Sequence, residues 1–319
     1  MKQAMAIDSE AMAEYAAVRD GGVGLIDLSA RGRISVSGSE AVMFLNGLIT
    51  NDLKALAENR WMTAAFPNVQ GRLLAAVRAI RRADDILLDT EAATREKVIK
   101  IIERFTLAGD FKVKDLTDEQ AMISLQGRRA AEIVEKMFGV KDLPRDGVWQ
   151  NEDVTIIHAT HTGEDGFDVI GVLPALEATR VSERVEEILR IEAGIARYGV
   201  DMDETNVVTE TNLDDAVSFT KGCYLGQEII IRIKHRGHVA KKLTGLRFET
   251  DREIEAGAVI RSSEDKEIGR VTSSTFSPRL NTTIALGYVR YEQLGPGTEI
   301  FVGDVRGETA SLPLVRGSW

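Results

Sequence analysis

The chain has 319 residues, of which 44% are hydrophobic and 28% charged, with a net charge of −10 and one cysteine. Proteins that bind nucleic acid mainly through phosphates are usually basic, so this charge argues against that class and leaves only a local basic patch open. One cysteine excludes an intrachain disulfide and any zinc or iron–sulfur site built from the thiols of this chain alone, and it favours a reducing compartment.

The N-terminus has no long apolar core of the kind that secretory signals contain. No uncharged apolar run approaches the roughly 20 residues that span a bilayer. We therefore expect a cytoplasmic protein that is not embedded in a membrane.

The first third of the chain alternates helices and strands. Asp8 or Ser9 can cap a helix that ends near Asp20 before two glycines, and Ser39 can cap a second. "TEAATREKVIKIIERFTLAG" predicts a third helix, with Thr90 as its cap and Gly109 as its end. Strands are predicted in "GLIDLSARGRISVSG" and at Trp61–Phe66, Leu73–Ile80 and Ile86–Asp89.

The middle of the chain repeats this pattern. A strand and a helix are predicted between Phe111 and Phe138. "DVTIIHAT" and "GFDVIGV" are predicted strands around the turn "HTGEDG", and a helix is predicted from Glu177 to about Ala196. Paired strands that alternate with helices indicate an α+β fold that resembles ferredoxin-like, split βαβ units.

The sequence pattern changes near Lys241, where short strand-like segments with Gly and Pro turns predict a small all-β barrel. We divide the chain into an α+β region, residues 1–238, and a C-terminal β-barrel domain, residues 239–319. The first region is expected to hold two interleaved subdomains, one of them covering roughly 50–115.

The cysteine lies in "SFTKGCYLGQEIIIRIKHRGH", Ser218–His238. Free cysteines are most often small buried hydrophobes. Against that reading, Gly222 and Gly226 permit positive φ or close backbone approach, and Lys221 can favour the thiolate. Spacing alone leaves both readings open.

Two histidines, His158 and His161, are three residues apart in "HATH". On a strand such side chains point to opposite faces, which argues against a shared metal ion. We predict no metal site in this chain.

The segment "KGCYLGQE" resembles the signature of the YgfZ family of folate-binding proteins, whose mitochondrial members are iron–sulfur assembly factors. The wider superfamily contains the glycine-cleavage T protein, an aminomethyltransferase. Four further segments are similar to superfamily landmarks in the expected order and extend the resemblance over most of the chain: "LIDLSARGRISVSGSEAVMFLNGLITND", "HTGEDGFDV", "RIEAGIARYGVDM" and "GRVTSSTFSPRLNTTIALGYV".

The resemblance implies tetrahydrofolate, or a one-carbon derivative of it, as the cofactor. The pterin edge carries adjacent N–H donors that a carboxylate can accept in parallel, and the family's acid lies in "GEDGFD", which leaves Glu164 or Asp168. Glu192, Arg197 and Tyr198 match a second landmark. Read without the resemblance, "GEDG" is a polar hairpin turn and "RIEAGIARYG" a helix end.

The same resemblance gives Cys223 and Lys221 the family-specific role, in contact with folate, a cluster-carrying partner or a reactive aldehyde, and places Gly222 at the ligand. The chain departs from the aminomethyltransferase at "QGRLLAAVRAI", where Ala75 and Ala76 occupy the positions of an aspartate pair. Alanine can neither move a proton nor stabilise a developing cation, which argues against glycine-cleavage activity.

The leading hypothesis is a tetrahydrofolate-binding protein that supports iron–sulfur cluster assembly or repair, with assembly proteins or client enzymes as partners. The alternative is a folate-dependent aminomethyltransferase or demethylase, and a third possibility is a binding module that has lost folate. The segment from Arg232 to Lys242 is either a solvated hinge or a basic patch for a folate tail, a partner protein or RNA, with RNA not favoured.

Overall fold

The computed structural model describes residues 7–104 and 109–319, without the side chain of Arg236. The end of the helix predicted up to Gly109 falls partly on residues 105–108, which lie outside this description. Among the described residues, no helix is long and apolar enough to cross a membrane.

The first sheet is antiparallel, with the strand order β3-β4-β5-β2-β6. Helices α2 (Ala41–Leu48) and α3 (Arg95–Glu103) contribute apolar side chains to its core, which includes Leu45, Val98 and Ile102. The alternating burial of β4 places Ala75, Val77 and Ala79 in this core and turns Ala76 and Arg78 to the opposite face. The strands are β2 (Gly32–Ser37), β3 (Arg60–Pro67), β4 (Leu73–Arg81), β5 (Asp85–Thr90) and β6 (Lys112–Asp115).

The second sheet has the strand order β11-β1-β7-β10-β9-β8. Its strand β1 (Gly24–Asp27) pairs with β7 (Ala121–Gln126), so the whole first sheet is inserted between two neighbouring strands of the second. The other strands are β8 (Val148–Gln150), β9 (Val154–His158), β10 (Gly166–Gly171) and β11 (Thr179–Arg180), and the helices are α1 (Ser9–Arg19), α4 (Ala130–Phe138) and α5 (Glu183–Ala193).

Helix boundaries follow local capping chemistry in two places. The Asp8 carboxylate accepts a hydrogen bond from the Ala11 amide at 2.8 Å, as expected of the cap of α1. The prediction that a helix starts at Glu177 was wrong. Thr179 and Arg180 pair in parallel with β1, and α5 begins only at Glu183. Gly194 ends α5 with a φ of 74°.

Helix α6 (Gln227–Arg236) follows the cysteine turn and leads into a closed six-stranded barrel in the order β12-β15-β14-β13-β16-β17. The barrel interior is filled by Leu246, Phe248, Ile260, Val289 and Ile300. These observations confirm the predicted α+β fold with a C-terminal β-barrel, while the division at residues 238 and 239 stays a prediction. The barrel strands are β12 (Lys241–Phe248), β13 (Val259–Ser262), β14 (Glu267–Ser277), β15 (Thr282–Arg290), β16 (Glu299–Val302) and β17 (Val305–Ala310).

Candidate functional site

Asp168 lies on β10 with its carboxylate fully buried between the two sheets. The His161 Nε2 atom is 3.1 Å from each of its oxygens. Arg78 Nη2 approaches Oδ2 to 2.5 Å, an ion pair that lacks hydrogen-bond alignment. Burial alone raises the pKa of an aspartate, but His161 and Arg78 outweigh that effect and hold the pKa of Asp168 well below its usual range.

Arg78 connects this carboxylate to a second one on the first sheet. Its Nε donates to Asp89 Oδ2 at 2.6 Å, and Arg31 Nε donates to Asp89 Oδ1 at 2.7 Å. Burial of Asp89 is again outweighed by the two arginines, which lower its pKa to about 2. We call this row of ionisable side chains, Arg31, Asp89, Arg78, Asp168 and His161, the Arg78 network.

Glu164 and Glu192, the other predicted acids, belong to a separate buried cluster. Arg19 Nη1 lies 2.8 Å from Glu164 and Arg19 Nη2 lies 2.9 Å from Glu192. Glu164 also accepts the Ser318 amide at 2.9 Å, and Glu192 accepts the Tyr15 hydroxyl and Ser277 Oγ. This set, the Arg19 network, joins α1, α5, β14 and the C-terminal segment, so its carboxylates are occupied by protein donors.

Arg197 lies near the His161 end of the Arg78 network. Its guanidinium is 2.6 Å from Glu186 Oε1 and 3.3 Å from Glu187 Oε2. The pKa of Glu186 is raised, chiefly by burial, although Arg197 and His161 both act to lower it. His161 retains 16% exposure of its side chain. This rim is therefore where a ligand can reach the network.

Tyr198 and Tyr224 belong to one hydrophobic cluster that also includes Ala76 of β4. The Tyr198 hydroxyl is 3.4 Å from both the Leu73 carbonyl and Lys97 Nζ. The Tyr224 hydroxyl is buried with no partner among the described residues, and burial raises its pKa to about 12. An unpartnered buried hydroxyl is costly, so it indicates a place for a ligand atom or an ordered water.

We call the surface formed by Ala76, Arg78, Asp168, Tyr198 and Tyr224 the β4 face. It includes two of the predicted site residues, Asp168 through its ion pair with Arg78 and Tyr198 through the cluster that contains Ala76. It supplies an anchoring carboxylate, two aromatic rings and a buried hydroxyl. These groups fit a flat heterocycle with N–H donors along one edge.

Cys223 and Lys221, which are two residues apart in the sequence, have different environments in the cysteine turn. Cys223 is exposed. Lys221 is buried, and its Nζ donates to the carbonyls of Asn46, Ile49 and Asn51 at 2.6, 3.0 and 2.7 Å. Burial lowers the pKa of Lys221 to about 8. Lys221 thus fastens the turn to the end of α2, and its expected influence on the thiolate stays a prediction.

The two glycines of this turn differ in what the backbone requires. Gly226 has a φ of 76°, and an added Cβ would lie 2.3 Å from the Asn68 carbonyl oxygen, so glycine is needed there. Gly222 has no positive φ, and an added Cβ would meet nothing within 4 Å. The conformational reason given for Gly222 was therefore wrong, while its proximity to a ligand stays a prediction.

Sequence reasoning missed Arg78, Asp89, Tyr224 and the role of His161. An arginine inside the apolar strand "LLAAVRAI" was an available signal, because a buried cation requires a carboxylate partner. His158 lies apart from His161, with its Nε2 2.7 Å from Asp165. Among the described residues, no group of three or more His, Cys, Asp and Glu side chains is arranged to hold a metal ion.

Comparison with protein families gives two matches. The GCVT N-terminal domain matches residues 3–185, and the glycine cleavage T-protein C-terminal barrel domain matches residues 241–316. Together they cover most of the chain.

Comparison with individual proteins supports the same family. An aminomethyltransferase of Aquifex aeolicus is 33% identical over 310 residues, covering 92% of this chain and 84% of the relative. One of Thermotoga neapolitana is 30% identical over 332 residues, covering 96% and 89%. The crystal structure of the glycine cleavage system aminomethyltransferase T from Bartonella henselae superposes with a TM-score of 0.89 at 25% identity, covering 97% of this chain and 90% of that one.

Proposed function

Because the chain belongs to the glycine cleavage T-protein family, we propose that it binds a reduced folate at the β4 face and acts on a one-carbon unit that the folate carries. The observation that carries this proposal is the buried Asp168 carboxylate, which faces the partly exposed His161. Tetrahydrofolate, when bound, supplies nitrogen atoms that accept and release one-carbon units.

Asp168 is the proposed anchor for the pterin. Its two oxygens can accept parallel N–H bonds from the pyrimidine edge, and charge-assisted bonds of this kind are strong. His161 is the neighbour of Asp168 that can move aside for the ligand, since its side chain retains 16% exposure. Arg78 stays beneath Asp168 and keeps the carboxylate ionised.

Two functions are compatible with such a site. The relatives named aminomethyltransferase support a folate-dependent aminomethyltransferase better than a YgfZ-type protein. Under this hypothesis Glu186 and His161, at the rim, are the nearest groups that can take up a proton.

A specific observation favours the second function, a YgfZ-type protein that supports iron–sulfur enzymes. Ala76 occupies an expected acid position on the β4 face, in the same cluster as Tyr224, and no carboxylate replaces it on β4. The exposed Cys223 is available to a partner, which must supply further ligands because one thiol cannot hold a cluster. The cytoplasmic location expected from the sequence is part of this proposal.

Calorimetric titration with 5-formyltetrahydrofolate tests the shared claim. We expect saturable binding by the native protein and a loss of roughly 10- to 100-fold for Asp168→Asn, because a charged acceptor is removed. Glu164→Gln is the matched control and should bind folate like the native protein, since Glu164 serves the Arg19 network. Equal losses in both variants, or no binding by the native protein, would refute the proposal.

A turnover assay separates the two functions. Tetrahydrofolate and an aminomethyl-lipoyl donor are supplied, and methylenetetrahydrofolate is measured. Product at enzyme-like rates supports the aminomethyltransferase. Folate binding without product, together with loss of iron–sulfur enzyme activity in cells that carry Cys223→Ala, supports the YgfZ-type function.

A further inference from the structure

A cavity of about 470 Å³ lies between the loop Val200–Asn206 and the barrel strands β12, β14 and β15. It shares no lining residue with the β4 face. Its volume falls within the range of pockets that hold small organic ligands, roughly 300–1,000 Å³. Val200, Met202 and Ile268 give it apolar walls.

Three cationic side chains surround one tyrosine on the barrel side of this cavity. Lys241 and Arg290 are direct cross-strand neighbours on β12 and β15, and Tyr288 pairs with Arg270 on β14. Lys241 Nζ lies 4.8 Å from the centroid of the Tyr288 ring. Like charges placed directly opposite each other on two strands destabilise the pair unless something compensates them.

The acidic residues that line the cavity are engaged elsewhere. Asp201 is 2.7 Å from Arg190 and accepts hydroxyl bonds from Thr272 and Ser273. Asp203 accepts the amide and the hydroxyl of Thr205.

Glu267, the third acid of the cavity, is 3.0 Å from Arg270. Lys241 and Arg290 make no ion pair with any described residue. With Asp201 paired to Arg190 and Glu267 paired to Arg270, the two cations Lys241 and Arg290 face one carboxylate, Asp203, so the excess charge in the cavity is positive by one.

Tyr288 adds a second observation that points to a ligand. Its side chain lines the cavity and is 93% buried, given its 7% exposure, and its hydroxyl has no hydrogen-bond partner among the described residues. Burial raises the pKa of Tyr288, so the hydroxyl stays protonated and remains a donor at neutral pH.

We propose that this cavity, the barrel cavity, binds a small organic anion whose carboxylate or phosphate group is held by Lys241 and Arg290 and whose apolar body rests on Met202 and Ile268. The Tyr288 hydroxyl donates to the ligand, directly or through a water that the ligand orders. The site is distinct from the folate site proposed above.

Phenyl phosphate and benzoate are the probes that test this site, one for each anionic group. Calorimetry with the full chain should give saturable binding of at least one of them, and the stronger probe identifies the group. The double variant Lys241→Gln/Arg290→Gln should weaken that probe by about tenfold or more, since two charge-assisted bonds are lost. Tyr288→Phe should weaken it by a smaller factor.

The matched control is Arg252→Gln/Arg306→Gln, which removes the same charge from two exposed barrel arginines outside the cavity. It should bind the probe like the native protein, and thermal melts verify that each variant is folded. Saturation with 5-formyltetrahydrofolate should leave the probe's affinity unchanged. Absent probe binding, equal weakening in the control, or competition by the folate would overturn the proposal.

Discussion

The Arg19 network and the Arg78 network are built from the same kinds of residue, yet they end differently. In the Arg19 network, one arginine connects Glu164 and Glu192, and the remaining acceptor sites are taken by hydroxyl and amide donors from distant segments. In the Arg78 network, the row of ionisable side chains ends at His161, which solvent can reach. From this comparison we infer that a buried carboxylate can bind a ligand only where one of its hydrogen-bonding partners can move aside.

The largest effects should come from removing the two central arginines. Arg78→Met and Arg19→Met each remove a buried cation that is shared by two buried carboxylates, so each should lower the free energy of unfolding by about 3–5 kcal/mol. Urea denaturation measures this. Arg60→Met, which breaks an exposed pair with Asp146, should cost no more than ~1 kcal/mol.

Folate binding by these variants sharpens the comparison. At a temperature where both are folded by circular dichroism, Arg19→Met should retain folate affinity and Arg78→Met should lose it. If both variants bind equally well, the distinction between the two networks fails.

The next largest effect should come from replacing Lys221, which holds the cysteine turn against the end of α2. Lys221→Met removes three hydrogen bonds and should cost about 2–3 kcal/mol. It should also speed alkylation of Cys223 and proteolysis of residues 218–226, because the turn loses its attachment to α2. An unchanged alkylation rate, with Lys54→Met as the surface control, would contradict this role.

Acid should weaken the Arg78 network within a defined range. The pKa of Asp89 is about 2 when folded and about 4 when unfolded, and that of Asp168 is also lowered. Their stabilisation is therefore complete above about pH 4 and is lost as the pH falls toward 2. Urea midpoints from pH 5 to 2 should show a smaller decline for Asp89→Asn than for the native protein, whereas Asp146→Asn should follow the native curve.

The smallest expected effect concerns Tyr224. Tyr224→Phe removes a buried hydroxyl that has no partner among the described residues, so the free energy of unfolding should stay the same or rise by up to ~1 kcal/mol. Folate affinity should nevertheless fall by roughly three- to tenfold, because a bound ligand would satisfy that hydroxyl. A loss of stability without any change in affinity would give Tyr224 a purely structural role.

Local patterns were enough to predict most elements. Apolar spacing indicated α3, alternation indicated β2, and the barrel strands were marked by their turns. The start of α5 was missed because Thr179 and Arg180 are held by β1, a partner more than 150 residues away in sequence. Only tertiary pairing settles such a boundary.

The site was harder to predict for a similar reason. The two candidate acids in "GEDGFD", Glu164 and Asp168, are four residues apart, and the segment alone does not show which of them binds the ligand. The distinction arises from Arg19 and Arg78, which lie 145 residues before Glu164 and 90 before Asp168. The family resemblance located the segment, and only the fold shows which carboxylate is fully occupied.

The insertion of one sheet between β1 and β7 has a consequence for biogenesis. On the ribosome, β1 emerges early but cannot find β7 until about 100 further residues have been made. The nascent β1 must meanwhile remain unpaired, and its pairing closes a long loop, a step that slows folding. Translation speed and chaperone access during that interval are thus expected to govern the yield of native protein.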